Sequence, residues 1–369
     1  MKTTFNLESY LTDGVENIIS DILKATLCNP KESFFMTKYA AQSKHSANLR
    51  HEAQKKRYHI PPFLIASITS QCNLHCKGCY ARANHSSYDR EPDGNAKEVL
   101  TAEQWGNIFK QATDLGVGFI LLAGGEPFIR RDVLTIAGKY PSILFPTFTN
   151  GTMIDPYYLD LLDKERNVIP IVSVEGKQET TDARRGAGIY QLLHCSMQKL
   201  HKRELLFGAS VTVTKDNMGE VLSDSFVDEL KASGCKAIIY VEYVPVDRQT
   251  ADLALDDATR TTMAQRLDDI RERYTDILVL SFPGDEKNSE GCLAAGRGFF
   301  HINASGDAEP CPFSPYSDIN VVDTSLLEAL QSPLFQQLQQ QGNLMQEHSG
   351  GCVLFEQEER VKLLLKELK

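Results

Sequence analysis

Residues 63–80 read FLIASITSQCNLHCKGCY: an uncharged apolar run that passes straight into a loop holding Cys72, Cys76 and Cys79. A short, nearly continuous apolar run is what a strand covered on both faces looks like, and such strands belong to parallel sheets. Working outward, similar runs recur as GFILLAGG (118–125), SILFPTFTN (142–150), NVIPIVSVE (167–175), FGASVTVT (207–214) and AIIYVEYVP (237–245). Between them, apolar residues recur at helical spacing around 102–115, 132–139, 157–162, 190–203 and 220–233. Strand and helix in alternation predict an α/β fold, here a partial (β/α)6 TIM-type barrel over residues 61–285. A further helix over 256–274 and the run LVLSF (278–282) end the alternation.

Two regions flank this barrel. Residues 1–60 form an N-terminal helical region with patterns over 7–27 and 32–57, parted at Asn29-Pro30 and closed by Pro61-Pro62. Arg50, His51, Lys55, Lys56 and Arg57 near its end read as a solvated face. Residues 286–369 have short runs, several Gly and Pro, and Cys292, Cys311 and Cys352, the pattern of a small metal-organised module. No apolar run approaches the length of a membrane span and no signal pattern opens the chain, so a cytoplasmic protein is expected. The formal charge of −10 over 369 residues has the wrong sign for a protein living on nucleic-acid phosphates or anionic lipid.

Nine cysteines without a secretory signal point to thiols, metal ligands or redox chemistry rather than to a disulfide framework. The spacing C-x3-C-x2-C from Cys72 to Cys79 brings three thiols onto one loop, which suits three irons of a 4Fe-4S cube with the fourth iron left open. Zinc would want a fourth ligand, and His75 sits beside Cys76, where ligation by both is strained. Cys28, Cys195 and Cys235 lie in apolar contexts without ligand-like spacing and read as buried core thiols.

This three-cysteine loop after the first strand of a βα barrel resembles the signature of the radical S-adenosylmethionine (SAM) superfamily. Gly124-Gly125-Glu126-Pro127, at the end of the second run, resembles the family motif that holds the amino group of SAM. Glycines there let backbone come close to a ligand, and proline fixes the strand exit. The resemblance further implies SAM contacts for Ser173 at the fourth strand end and for Val244 at the sixth, and a carboxylate contact for Arg185 in the stretch Arg184-Arg185-Gly186. Many relatives carry an aromatic residue just before the last cysteine; Gly78 stands there instead, and Tyr80 is the candidate to take over its contact with adenine.

Near the C-terminus, C-x13-G-x4-C from Cys292 through Gly306 to Cys311 resembles the opening of the SPASM extension, with a hairpin turn at Ser305-Gly306. The rest of that extension is truncated here, leaving Cys352. Cys292, Cys311 and Cys352 are therefore expected to bind one auxiliary 4Fe-4S cluster, its fourth iron open or held by His301, His348 or Glu356.

The resemblance implies an enzyme that cleaves SAM reductively to a 5′-deoxyadenosyl radical, which abstracts hydrogen from a substrate, with a peptide or protein as the modal expectation. A small molecule such as a tetrapyrrole or nucleotide is the alternative within enzymes. A non-catalytic iron-sulfur carrier or sensor is the alternative of another class, and the Gly-Gly-Glu-Pro motif argues against it. A low-potential donor, flavodoxin or ferredoxin, is the expected partner, with neither nucleic acid nor membrane.

Overall fold

The computed structural model describes residues 5–89, 98–341 and 352–368. Seven strands run parallel as sheet neighbours in chain order: β1 (Phe63–Ser67), β2 (Phe119–Ala123), β3 (Phe145–Thr149), β4 (Val168–Ser173), β5 (Gly208–Val213), β6 (Ala237–Glu242) and β7 (Leu278–Phe282). The run LVLSF is thus a seventh barrel strand, in register with β6 from Ala237↔Leu278 to Val241↔Phe282. The sheet continues past β1 on its other edge. There β8 (His301–Ile302) pairs parallel to it through Ile65↔His301, and β9 (Ala308–Glu309) turns back antiparallel.

Alternation within the strands sets the two faces of the barrel. Phe63, Ile65, Phe119, Leu121, Ile169 and Ile171 face an interior cavity. Leu64, Ala66, Ile120, Leu122, Val172 and Val211 turn outward into the core beneath the helices. The helix Ala102–Leu115 shows how sequence fixes one such cover. Thr101 and Gln104 form a capping box, Trp105, Ile108, Phe109 and Ala112 are buried, and Gly116 ends the helix at φ +82°.

The N-terminal helices α1 (Leu7–Ala25) and α2 (Pro30–Lys55) floor the barrel. Val15, Ile19, Ile22, Met36 and Tyr39 cluster with Phe119, Leu144, Ile169, Leu206 and Leu278, which lie at or just before the strand starts. Tyr39 donates its hydroxyl to the Gly118 carbonyl at 2.7 Å. Arg50 departs from the expected solvated face: it is buried and donates to the Gly116 carbonyl at 2.6 Å, capping the helix that ends there. The C-terminal segments join the barrel's own core, with Phe300, Ile302, Phe335, Leu338, Leu354 and Val361 in one cluster with Leu64 and Trp105. Among the described residues, no helix is long and apolar enough to cross a membrane.

Candidate active site

The loop leaving β1 is held by its own backbone. Cys72 donates its N–H to the Tyr88 carbonyl at 2.8 Å, and Arg82 folds the loop back by donating to the carbonyls of Leu74 at 2.6 Å and Cys72 at 3.3 Å. Burial pushes the Cys72 thiol up to about 11 and raises that of Cys76 as well. Three thiols on one loop suit three irons of a cube, and all three border the cavity.

Gly124 and Gly125 owe their identity to this loop. A Cβ on Gly124 would collide with the Thr69 carbonyl, and one on Gly125 with the carbonyl of Gln71. Their close approach lets Gly125 donate to Thr69 at 2.9 Å and Glu126 to Gln71 at 2.7 Å. Backbone thus meets the cysteine loop itself, a close approach that requires glycine at both positions. Glu126 is buried and points inward. It accepts from the Thr149 hydroxyl at 2.7 Å and from the N–H groups of Asn150 at 2.7 Å and Phe128 at 3.0 Å, so it clasps the exits of β2 and β3. Burial raises its pKa, and those three donors oppose the rise. At the end of β3 the Asn150 amide donates to Asn73 in the cysteine loop at 2.8 Å.

Arg184 and Arg185 are tied down rather than loose in solvent. Both donate to the same oxygen of the buried Glu175, at 2.5 Å each. Arg184 also bonds the Lys77 carbonyl at 3.2 Å, and Lys77 returns its N–H to the Arg184 carbonyl at 2.8 Å. This seats the Arg185 guanidinium 3.9 Å from the Cys76 sulfur. A cation there favours thiolate at that position.

Every barrel residue singled out from the sequence borders this one cavity of about 770 Å³, Pro127 excepted. Pro127 instead opens the short turn Pro127–Ile129 behind it. Ser173 and Val244 stand at the rim of their strands. Tyr80 also borders the cavity, but its ring packs edge-on against Phe313 of the C-terminal segment, at 5.0 Å between centroids. The aromatic ring beside Gly78 is Tyr243, just past β6: a Cβ on Gly78, at φ +67°, would collide with the Tyr243 hydroxyl, which is 2.6 Å from Thr250 Oγ1. The aromatic contact absent from the loop thus has a neighbour supplied by another strand.

The second thiol set also converges. Cys311 is buried in the core, with Cys292 and Cys352 packed against it; the neighbouring Cys352 and burial raise the Cys311 thiol, while Cys311 lowers that of Cys352. Three residues beyond Cys311, the Ser314 hydroxyl is buried without a partner, a gap in polar satisfaction that a bound group would fill. The expected hairpin is present, with Gly306 at φ +87°. His301, however, is engaged on both ring nitrogens, by Ser67 at 2.8 Å and Glu309 at 2.7 Å, because β8 sits on β1; it is not placed to hold an iron. His348 lies outside the described residues. Glu356 follows Cys352 on the short helix Val353–Glu356. Of the remaining cysteines only Cys235 is buried. Cys28, in the turn between α1 and α2, and Cys195, on the outer face of the helix Ile189–Lys202, are exposed, since apolar neighbours in sequence do not fix which way a residue faces.

Residues 66–205 match the model of the radical SAM superfamily. The chain is 25% identical to Fe-coproporphyrin III synthase of Methanosarcina barkeri over 61% of its own length and 54% of the relative's, so it spans about half of that protein. It is 26% identical to the AdoMet-dependent heme synthase of the same organism, over 69% of this chain and 78% of the relative. To the PqqA peptide cyclase of Rhizobium meliloti it is 27% identical over 68% of each chain. In fold it is similar to Streptococcus suis SuiB, solved bound to the precursor peptide SuiA, with a TM-score of 0.63 at 18% identity, covering 87% of this chain and 76% of that one.

Proposed function

We propose that the chain is a radical SAM enzyme that holds a 4Fe-4S cluster on Cys72, Cys76 and Cys79, cleaves SAM there, and takes a hydrogen atom from an apolar carbon of a peptide or protein substrate. The observation that carries this reading is continuity: the three thiols and the strand ends share one cavity with a wall of aliphatic and aromatic side chains. When bound, cluster and SAM supply one-electron cleavage and hydrogen abstraction.

The chain's own part is to bind, orient and exclude water. Arg185 balances charge beside Cys76 and is the partner for the SAM carboxylate, at the end of its bond to Glu175. The carbonyls of Gly124 and Gly125 would accept from the amino group of SAM, with Glu126 clasping the strand exits beside them. Ser173 contributes a hydroxyl, and Val244 with Tyr243 an apolar wall for adenine. The lumen below, lined by Phe63, Phe119, Phe148, Leu280 and their neighbours and floored by α1, keeps water from the reacting carbon.

The peptide reading is supported by the similarity to the PqqA peptide cyclase over two thirds of both chains. A tetrapyrrole is the second reading, supported by the similarity to the Fe-coproporphyrin III and heme synthases and by the volume of the cavity. Charge favours the first. Among the described residues, the cations bordering the cavity are Arg184 and Arg185, which already share Glu175, and Lys236, a thin complement for a substrate with several carboxylates.

In this reading, residues 61–285 are the catalytic barrel, and residues 286–369 form a module whose Cys292, Cys311 and Cys352 hold an auxiliary 4Fe-4S cluster, the group that the buried Ser314 hydroxyl is left to meet. The enzyme works in the cytoplasm with a flavodoxin or ferredoxin as donor. The test is 5′-deoxyadenosine, measured by mass spectrometry after anaerobic reconstitution with iron and sulfide and addition of SAM and dithionite. Intact protein is expected to form it, and the Cys72→Ala, Cys76→Ala, Cys79→Ala variant is expected to form none. Intact protein that carries its iron yet yields no product would overturn the reading in favour of electron transfer or sensing.

A further inference from the structure

The turn that follows β7, Gly284–Asn288, carries one side chain with two faces. Glu286 borders the barrel cavity. Its Oε2 also accepts the N–H of Leu293, the residue after Cys292, at 3.4 Å. The charge of this carboxylate reaches the thiols of both Cys292 and Cys352. Cys311 is buried in the core against which both Cys292 and Cys352 pack. From the other side Arg297 ties the turn to the first of these cysteines, donating to the carbonyls of Cys292 at 2.6 Å and Ser289 at 3.0 Å. A carboxylate from the barrel thus stands at the cavity wall, bonded to the backbone beside Cys292 of the C-terminal module.

We propose that Glu286 is the fourth protein ligand of the auxiliary cluster, closing it on the side that borders the cavity. The inference rests on the reading of Cys292, Cys311 and Cys352 as cluster ligands. Three thiolates satisfy three irons of a cube and leave the fourth to the next available donor. His301, the histidine of the hairpin, has both nitrogens committed to Ser67 and Glu309, whereas Glu286 meets the backbone next to Cys292 from the cavity wall. The bond forms between a carboxylate oxygen and the fourth iron, with any proton on Glu286 released on binding and no change in oxidation state. Its consequence is spatial: a substrate donor gains that iron only by displacing Glu286, so the carboxylate stands between the auxiliary cluster and the substrate.

The experiment uses the full chain with Cys72→Ala, Cys76→Ala and Cys79→Ala, so that any cluster present is the auxiliary one. The protein is reconstituted anaerobically, assayed for iron and sulfide, reduced with dithionite and examined by electron paramagnetic resonance with and without 13C-labelled cyanide, whose carbon couples to the cluster when it binds iron. Cyanide is expected to leave this parent unchanged and to produce 13C coupling once Glu286→Gln is added, at equal iron content. Glu286→Cys, which offers a thiolate instead, is expected to restore insensitivity to cyanide while changing the spectrum, and it serves where the glutamine variant does not fold. Cyanide coupling in the parent, or none in the folded glutamine variant, overturns the assignment of Glu286. A parent without iron overturns instead the reading of the three cysteines.

Discussion

The two thiol sets are built in opposite ways. Cys72, Cys76 and Cys79 lie within one loop, and the fold braces that loop by bringing backbone against it: Gly124 and Gly125 on one side, Gly78 beneath Tyr243 on another, and the Arg184–Lys77 exchange on a third. Cys292, Cys311 and Cys352 come from separate segments, gathered by the shared core and bordered by a carboxylate from the barrel. A set gathered locally is rigid through neighbours that cannot move; a set gathered from afar depends on side chains that can be exchanged. Substitutions in the barrel site should therefore cost stability and iron together, whereas those in the second set should separate the two.

The largest effect is expected where the barrel site concentrates charge. Glu175→Ala strands the buried guanidiniums of Arg184 and Arg185 and should cost about 3–5 kcal/mol, read by urea unfolding of the iron-free protein. It should also weaken SAM binding, because Arg185 loses the bond that seats it beside Cys76. A loss below about 1 kcal/mol would show that the pair is carried by solvent rather than by burial. Gly125→Ala follows, costing about 3 kcal/mol, the upper end for overpacking, since the clash is with the Gln71 backbone rather than with a movable side chain. Its iron content should fall by the share of the barrel cluster, while the share held by Cys292, Cys311 and Cys352 remains. Cys311→Ala should give the converse, losing the auxiliary iron and keeping the barrel share; a variant that loses both would mean that the two sites fold as one unit.

That asymmetry also governs what the sequence disclosed. The cysteine loop was legible because an apolar run and a local spacing announce strand and loop, and mark the ligand candidates, in a single stretch. Gly124 and Gly125 were found, but not their contact with the Thr69–Gln71 backbone, because a spacing shows that backbone must come close to something without showing everything it meets. Tyr243 was missed as the aromatic beside Gly78, and Tyr80 chosen in its place, because proximity along the chain is visible and proximity across the barrel mouth is not. Glu286 belongs to the same class: a carboxylate in a turn, six positions before Cys292, carries no ligand-like spacing until β7 joins the sheet. The burial of Arg50 escaped notice because its partner, the Gly116 carbonyl, lies at the end of a different helix.

The smallest effect sharpens the comparison most, because its sign should depend on iron. Ser314 buries a hydroxyl with no protein partner beside Cys311. A buried polar atom left unsatisfied costs roughly 1–3 kcal/mol, so Ser314→Ala should stabilise the iron-free protein by about 1 kcal/mol once the loss of packing is set against that gain. If the auxiliary cluster is what the hydroxyl meets, the same substitution in the loaded protein removes a hydrogen bond to a cluster sulfur. It should then hasten loss of the auxiliary iron to a chelator such as bathophenanthroline, measured in the Cys72→Ala, Cys76→Ala, Cys79→Ala background. Thr149 in the barrel site offers the contrast: its hydroxyl already donates to Glu126 at 2.7 Å, so Thr149→Val should destabilise the protein with and without iron alike. A Ser314→Ala variant that loses stability in both states would place Ser314 with Thr149, as a group whose partner is protein, and would remove the polar gap on which the second site's occupancy is argued.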